Sequence, residues 1–425
     1  MILRLFILLF AVMIPQSGLC QPETRSQSSE MWSDIDTHVL HTPAYLEQDT
    51  DSLATYFLSV AETDAEKARA IYRWMTDRIS FDLDAFFQGS PRYTTPESVL
   101  QSKKAVCTGY VILFEELARK MDLNIEFIDG LAKGFGFDPE DSSETIENHS
   151  WIAVRIDDEW KLIDPTWGSG FILENTPGFV KNFTEFFFFA DPDRLIYTHL
   201  PSDQPWQLRS ETASPEEFLS YPIVTPHFYK YDLRFGEELK MFTDTNGSFS
   251  THFIVPDNID IRPALTYDGQ KKEKNLLMTF DGNRIEISAL LNRTGPYKLE
   301  LYGRKSGTDQ EEYYLMTYIY LNNQSPAVQQ HYPILKESYG IIRATLASPL
   351  QYELTHTEAY DFDIMIPGAE EVRLASDDWS WSHSLEQDSS RFFGSIVPVA
   401  GTLHLIARFP DDDFFVLVTE FKGVE

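Results

Sequence analysis

The chain has 425 residues, 43% apolar and 14% aromatic, with a formal net charge of −31. That apolar and aromatic content excludes an acidic disordered tail, and the charge repels phosphate backbones and anionic membranes, which excludes nucleic acid as a partner. A chain of this length divides into two or three domains.

The first twenty residues, "MILRLFILLFAVMIPQSGLC", set Arg4 before an unbroken apolar run from Leu5 to Ile14, which "PQSG" then ends. The run is too short to span a bilayer and has the three-part pattern of a signal peptide. Cleavage near Cys20 would give a secreted or cell-envelope protein. A lipid anchor on Cys20 is the weaker alternative, because Leu19 and Ser17 stand where such a signal wants a small residue and a leucine. No other apolar run is long enough to cross a membrane, so no transmembrane segment is expected. Once Cys20 is removed, Cys107 is the one remaining thiol and no intrachain disulfide can form. The sequons at Asn148, Asn182, Asn246, Asn292 and Asn323 would carry glycans only in a eukaryotic host.

From Glu30 to Leu123 the period is helical. Ala65, Ala68, Ile71, Tyr72 and Met75 form one stripe behind a capping site at Thr63-Asp64. Thr95-Pro96 opens a shorter helix, with proline at its first position. The next helix carries Val111, Phe114, Leu117, Ala118 and Met121. From Ile125 to Leu208 short strands dominate, and Phe186 to Phe189 suit a strand buried on both faces. Beyond Pro222 the pattern is wholly β. "GPYKLELYG" with "YYLMTYIYL", and "GTLHLIARF" with "FFVLVTEF", alternate apolar and polar residues about intervening turns. The fold class is therefore α+β, with a mixed domain over residues 21–220 and β-sandwich domains over 221–328 and 329–425. "DDWSWSH", from Asp377 to His383, is a decorated loop or, less favoured, a carbohydrate platform.

"KKAVCTGY" sets Cys107 at the start of a helix, where the helix dipole and free N–H groups favour thiolate. Lys103 and Lys104 add to that field if they point toward it. Taken alone, such a cysteine reads more readily as packing. The stretch "ENHSWIAVRIDDEWKLIDPTWGSGF" adds the partners. If Asp157-Asp158 form a two-residue turn, Ile156 pairs with Glu159 and Trp151 with Asp164. His149 and Trp151 then share a face, and Asp164 is the diagonal neighbour of His149. Each residue alone has a plainer reading, His149 as a half-buried strand residue and Asp164 as a turn former before proline. A metal held by Glu147, His149 and Asp164 is disfavoured, because zinc sites recruit more histidine or cysteine. Trp151, Trp160 and Trp167 cluster about this hairpin, at least two of them as core and one as a wall of the site. Tyr110 supports core or cleft.

"AVCTGY" followed by "NHSWIAVRIDDEWKLIDPTWGSG" resembles the transglutaminase-like superfamily, whose members carry Cys, His and Asp in this order. "KARAIYRWMTDRISFD", "TPESVLQSKKAVCTGY", "FFFFADPDRLIYTHLPSDQPWQL" and "YPIVTPHFYKYDL" are similar to its kyphoscoliosis-peptidase branch. The resemblance implies a papain-like fold with Cys107 as nucleophile, His149 as base and Asp164 as the acid that orients it. It implies acyl transfer on a protein or peptide amide, by hydrolysis or by transamidation, with no cofactor. The backbone N–H of Cys107 is a natural oxyanion donor, and Gln101 is a weaker side-chain candidate. The rival reading is a catalytically silent scaffold or adhesion unit. Oligomeric state is not legible.

Overall fold

The computed structural model describes residues 31–88, 95–137, 147–172, 178–307, 312–328, 331–410 and 412–425. The leader reading of residues 1–20, with Cys20, lies outside them.

A helical lobe comes first: α1 (Ser33–Leu40), α2 (Thr50–Leu58), α3 (Asp64–Arg78), β1 (Ser80–Phe81), α4 (Leu83–Gln88), α5 (Pro96–Ser102), β2 (Lys104–Ala105) and α6 (Cys107–Lys120). The start signals act as their residue types require. Thr63 caps α3 in a reciprocal box with Glu66, and Thr95 caps α5 ahead of Pro96. Ala68, Ile71, Tyr72 and Met75 of α3 are fully buried against Val111, Phe114 and Leu117 of α6.

The sheet lobe follows: β3 (Ile125–Ala132), β4 (His149–Ile156), β5 (Glu159–Ile163), α7 (Pro165–Gly168), β6 (Gly170–Ile172), β7 (Phe179–Lys181), β8 (Phe188–Ala190) and β9 (His199–Pro201). Five strands pair antiparallel in the order β8-β5-β4-β3-β9. Asp157 and Asp158 both have positive φ, 49° and 67°, as a primed two-residue turn demands. Ile156 accordingly faces Glu159, and Ile152 faces Ile163. One face of β4 packs Ile152 and Val154 on the helices, and the other packs Trp151 and Ala153 on Leu162 and Phe187.

The phenylalanine run departs from a strand buried on both faces. Glu185–Phe187 is a 3-10 turn capped by the Thr184 side chain, and only Phe188 and Phe189 enter β8. The turn lets Glu185 reach Arg69 and sends the rings to different neighbours. Phe186 stacks on Tyr229, Phe187 meets Trp167 edge-on and Phe188 packs on Tyr72.

Arg69 is fully buried at the middle of this arrangement. Its Nε and Nη2 donate to the two oxygens of Asp36 in α1 at 2.7 and 2.6 Å, and Nη2 also donates to Glu185 at 2.7 Å. The guanidinium lies over Phe188, 5.1 Å from the ring centroid. Breaking a buried ion pair strands its partners, and here both carboxylates retain some water contact. Arg69→Ala is therefore expected to cost about 3 kcal/mol, the low end for such a cut. The measurement is a lower urea midpoint at unchanged slope.

The C-terminal half is β throughout. Gly295–Lys305 pairs antiparallel with Tyr314–Ser325, and Gly401–Arg408 with Val416–Val424. Tyr297, Leu299 and Leu301 point inward as their alternation requires. The two sandwiches repeat one topology. Each has a six-stranded and a four-stranded sheet, and each six-stranded sheet carries one short strand parallel to its longest hairpin arm. Their interiors merge into one core running from Val224 to Phe421. Lys133, just past β3, ties the sheet lobe to the first sandwich by donating to the carbonyls of Phe218 and Tyr221 at 2.5 and 2.8 Å. In "DDWSWSH", Asp378 accepts from Ser376 and Ser380 in a local turn that leaves Trp379 exposed.

Candidate active site

Cys107 is the first residue of α6, with Val106 as an N-cap that offers no side-chain bond. β2, paired parallel with β1, delivers the chain to that helix tip. The cysteine is half-buried and unpaired. Burial pushes its thiol up, but hydrogen bonding and charge from His149, with the backbone N–H groups of Ser150 and Thr108, bring it below its ordinary value. The lysines do not supply this field as the sequence suggests. Lys103 pairs with Glu47 at 3.0 Å over the Trp74 ring, and Lys104 is exposed. Gln101 is exposed on the last turn of α5, and Lys103 in a left-handed turn (φ 54°) separates it from the cysteine.

His149 opens β4 and is buried. Its Nε2 lies 2.7 Å from Asp164 Oδ2, which leaves Nδ1 for Cys107. Burial would lower its basicity, but the Asp164 charge and hydrogen bond, then those of Cys107, push it up to about 10. Asp164 follows the last residue of β5 and caps α7. Its Oδ1 accepts from the N–H groups of Thr166 and Trp167 at 2.8 and 3.0 Å. The turn-former and the histidine partner are thus one carboxylate used on both oxygens. Burial opposes its charge, yet the two histidines facing it hold it well below the usual carboxylate range.

The second of those histidines, His199, has no role in the sequence reading. Its Nε2 lies 3.1 Å from the same Oδ2, and its Nδ1 lies 2.8 Å from Thr198 Oγ1. Burial holds it below an ordinary histidine despite the carboxylate, and an Nε2–H facing Asp164 Oδ2 is the tautomer that suits that acceptor. His199 stands in the quoted "YTHLPSDQPWQL", but its partner is 35 residues away. Its place depends on β9 pairing with β3, Ala132 opposite His199. Gly130 permits that pairing, since a Cβ there would meet Leu200 O at 2.2 Å.

Aromatic rings enclose the histidines. Trp151 stacks on His149 with centroids 5.9 Å apart, and Trp167 lies 5.6 Å from His149 and 4.4 Å from His199. Trp160 packs on Trp206, away from this group. Tyr110 braces the helix tip, donating to Ile79 O at 2.8 Å and lying 3.0 Å from Ser169 Oγ. For a metal, among the described residues the ligand atoms near one another are those of His149, Asp164 and His199, within 4.8 Å. Glu147 is exposed and not among them. The carboxylate of that trio accepts hydrogen bonds on both of its oxygens.

A helix-tip cysteine set against a histidine and an aspartate on a sheet, followed by sandwiches, defines the class: a transglutaminase-like domain carrying immunoglobulin-like domains. Residues 51–165 match the transglutaminase-like superfamily, and residues 215–334 match the KY-like, immunoglobulin-like domain. The chain thus carries a transglutaminase-like domain and a KY-like, immunoglobulin-like domain, and it is similar to kyphoscoliosis peptidases. It is 27% identical to human kyphoscoliosis peptidase over 71% of this chain and 46% of that protein. It is 26% identical to hillarin of Drosophila melanogaster over 56% of this chain and 32% of that one. Cytokinesis protein 3 of Saccharomyces cerevisiae is 26% identical over 52% of this chain and 25% of its own length. The chain thus spans less than half the length of these relatives.

These relatives correct one expectation. They are cytoplasmic or cytoskeleton-associated proteins rather than secreted ones, which overturns the secreted or cell-envelope placement drawn from the leader. An apolar run before a break is a local pattern, and it does not by itself fix an address. Among the described residues, no helix is long and apolar enough to cross a membrane.

Proposed function

We propose that the protein is a cysteine-dependent acyl-transfer enzyme acting on amides of a protein or peptide, with Cys107 as nucleophile, His149 as acid-base and Asp164 as the group that orients it. One observation carries this reading: His149 is bonded both to the buried Asp164 carboxylate and to Cys107, which raises the imidazole and lowers the thiol together. An imidazolium-thiolate pair is what those opposed shifts describe.

In this mechanism the thiolate attacks the amide carbonyl carbon, and the C=O π pair moves onto oxygen. Backbone N–H groups at the tip of α6 face the developing oxyanion. Collapse breaks the C–N bond while the imidazolium gives its proton to the leaving amine, so the acyl group rests on Cys107 as a thioester. A second nucleophile, water or an amine, loses its proton to His149 and releases the acyl group. His199, through Asp164, is a positioning residue: it holds the same Oδ2 that His149 uses and helps keep the carboxylate ionised.

The human relative is named a peptidase, which favours water as the acceptor. The test is incubation with a glutaminyl peptide and a fluorescent amine. Hydrolysis predicts, without amine incorporation, ammonia from the side-chain amide or a new amino terminus from a backbone amide, and incorporation predicts transamidation. Loss of both in wild type as in Cys107→Ala, across a panel of peptide amides, would sink the enzyme reading.

A further inference from the structure

Five phenylalanines meet where the two lobes that carry the cysteine and the histidine face each other. Phe81 lies in β1 opposite Ala105, two residues before Cys107, and Asp82 N–H donates to Ala105 O at 3.0 Å. Phe81 packs edge-on against Phe86 of α4, centroids 5.5 Å apart, and lies 6.2 Å from Phe179 of β7. From the sheet lobe comes Phe135, just past β3. It meets Phe86 at 6.4 Å and Phe87 at 6.0 Å, both edge-on. Its neighbour Gly134 lies against Trp167 so closely that a Cβ would fall 2.8 Å from the indole, and Trp167 is the ring beside His149. The phenylalanines are therefore joined to the cysteine on one lobe and to the histidine on the other.

Two of these rings are wasted as core. Phe86 is 41% exposed and Phe87 56% exposed. Clustered exposed aromatics mark a binding surface, and exposed rings suit contact with another flat or branched apolar group. The position of the cluster points to the occupant: β1 lies beside the strand that leads into Cys107, and Gly134, next to Phe135, lies against the ring beside His149, so a peptide with its amide at Cys107 has these rings as neighbours.

We propose that Phe81, Phe86, Phe87, Phe135 and Phe179 form the substrate side-chain subsite, which selects a peptide segment with an aromatic or large aliphatic residue beside the amide that Cys107 attacks. The strongly negative chain favours neutral or basic residues on either side of that group. The proposal rests on the acyl-transfer reading for the location of the amide, but its test does not need the chemistry to occur.

Binding is measured on Cys107→Ala, which cannot react, with two fluorescein-labelled peptides of neutral sequence that differ by one phenylalanine or glycine. The phenylalanine peptide is expected to bind roughly 10- to 100-fold more tightly, the range for burying one such ring. Adding Phe86→Ser and Phe87→Ser should bring that ratio close to one. The ratio is independent of the fraction of folded protein, because both peptides see the same sample. Equal affinities in Cys107→Ala would overturn the subsite even if wild-type Cys107 proves reactive. A retained preference with an inert wild-type cysteine would support the subsite and sink the enzyme reading instead. If the peptides bind equally and the serine pair turns a dimer into a monomer, the surface is a self-association face and the proposal falls.

Discussion

Iodoacetamide is expected to label Cys107 well below pH 8, and His149→Ala is expected to abolish that advantage. A free thiol titrates at about 8.5, so two units lower only about 1% of it is thiolate. In the native site the sulfur is half-buried, which alone would push its pKa upward. The imidazole bond and charge are the largest contributions that reverse that sign, with the backbone N–H groups of Ser150 and Thr108 adding to them. Removing the ring leaves the burial and deletes most of the compensation, so the variant should react much like an ordinary thiol. At pH 6.5 the expected loss in rate is about 100-fold, from the same thiolate fraction. The acyl-transfer rate should be bell-shaped. It rises as the pair loses the thiol proton and falls as His149 gives up its own near 10, both as properties of the coupled pair. A labelling profile in wild type that matches His149→Ala at every pH would refute the ion pair.

The parts legible in the sequence are those that depend on near neighbours. The Asp157-Asp158 turn fixes the β4–β5 register, and that register brings His149 and Asp164 together at the open end of one hairpin. Thr63, Thr95 and Pro96 announce helix starts because capping is settled within four residues. What escaped depends on contacts between distant segments. His199 needs β9 beside β3, and Arg69 needs Asp36 and Glu185, 33 and 116 residues away. The phenylalanine run reads as a strand until Glu185 is required at Arg69, which bends its first residues into a turn. Lys103 stands close to Cys107 in sequence, yet Glu47 captures it. Charge counted along a chain does not say which way a long side chain turns. The duplicated sandwich topology is likewise carried by strand order rather than by any short repeat in the residues.

Asp164→Asn should be the most damaging isosteric change in the molecule for chemistry. The amide can still accept from Thr166 and Trp167, so the cap on α7 and the fold around it survive. On the other side an amide that donates, or a neutral oxygen that accepts weakly, meets the Nε2 atoms of His149 and His199. Both outcomes remove the charge that raises His149, and one favours the wrong imidazole tautomer. In an enzyme with a Ser-His-Asp triad the same exchange costs about 10,000-fold, and a loss of that order is expected in acylation by any substrate found. Stability gives an independent readout. A carboxylate depressed on folding contributes stability that is present above its unfolded pKa of about 3.9 and is lost as pH falls through the native value. The wild-type unfolding free energy should therefore fall with pH below about 4, and Asp164→Asn should flatten that slope. His199→Gln separates positioning from packing, because its amide can still donate to Oδ2 where His199→Ala cannot. The glutamine variant should keep the low-pH thiol labelling. The alanine variant should lose about tenfold on the acid limb, the worth of one bond to a charged group. If alanine and glutamine give the same pH profile as wild type, His199 fills space and does not hold the carboxylate.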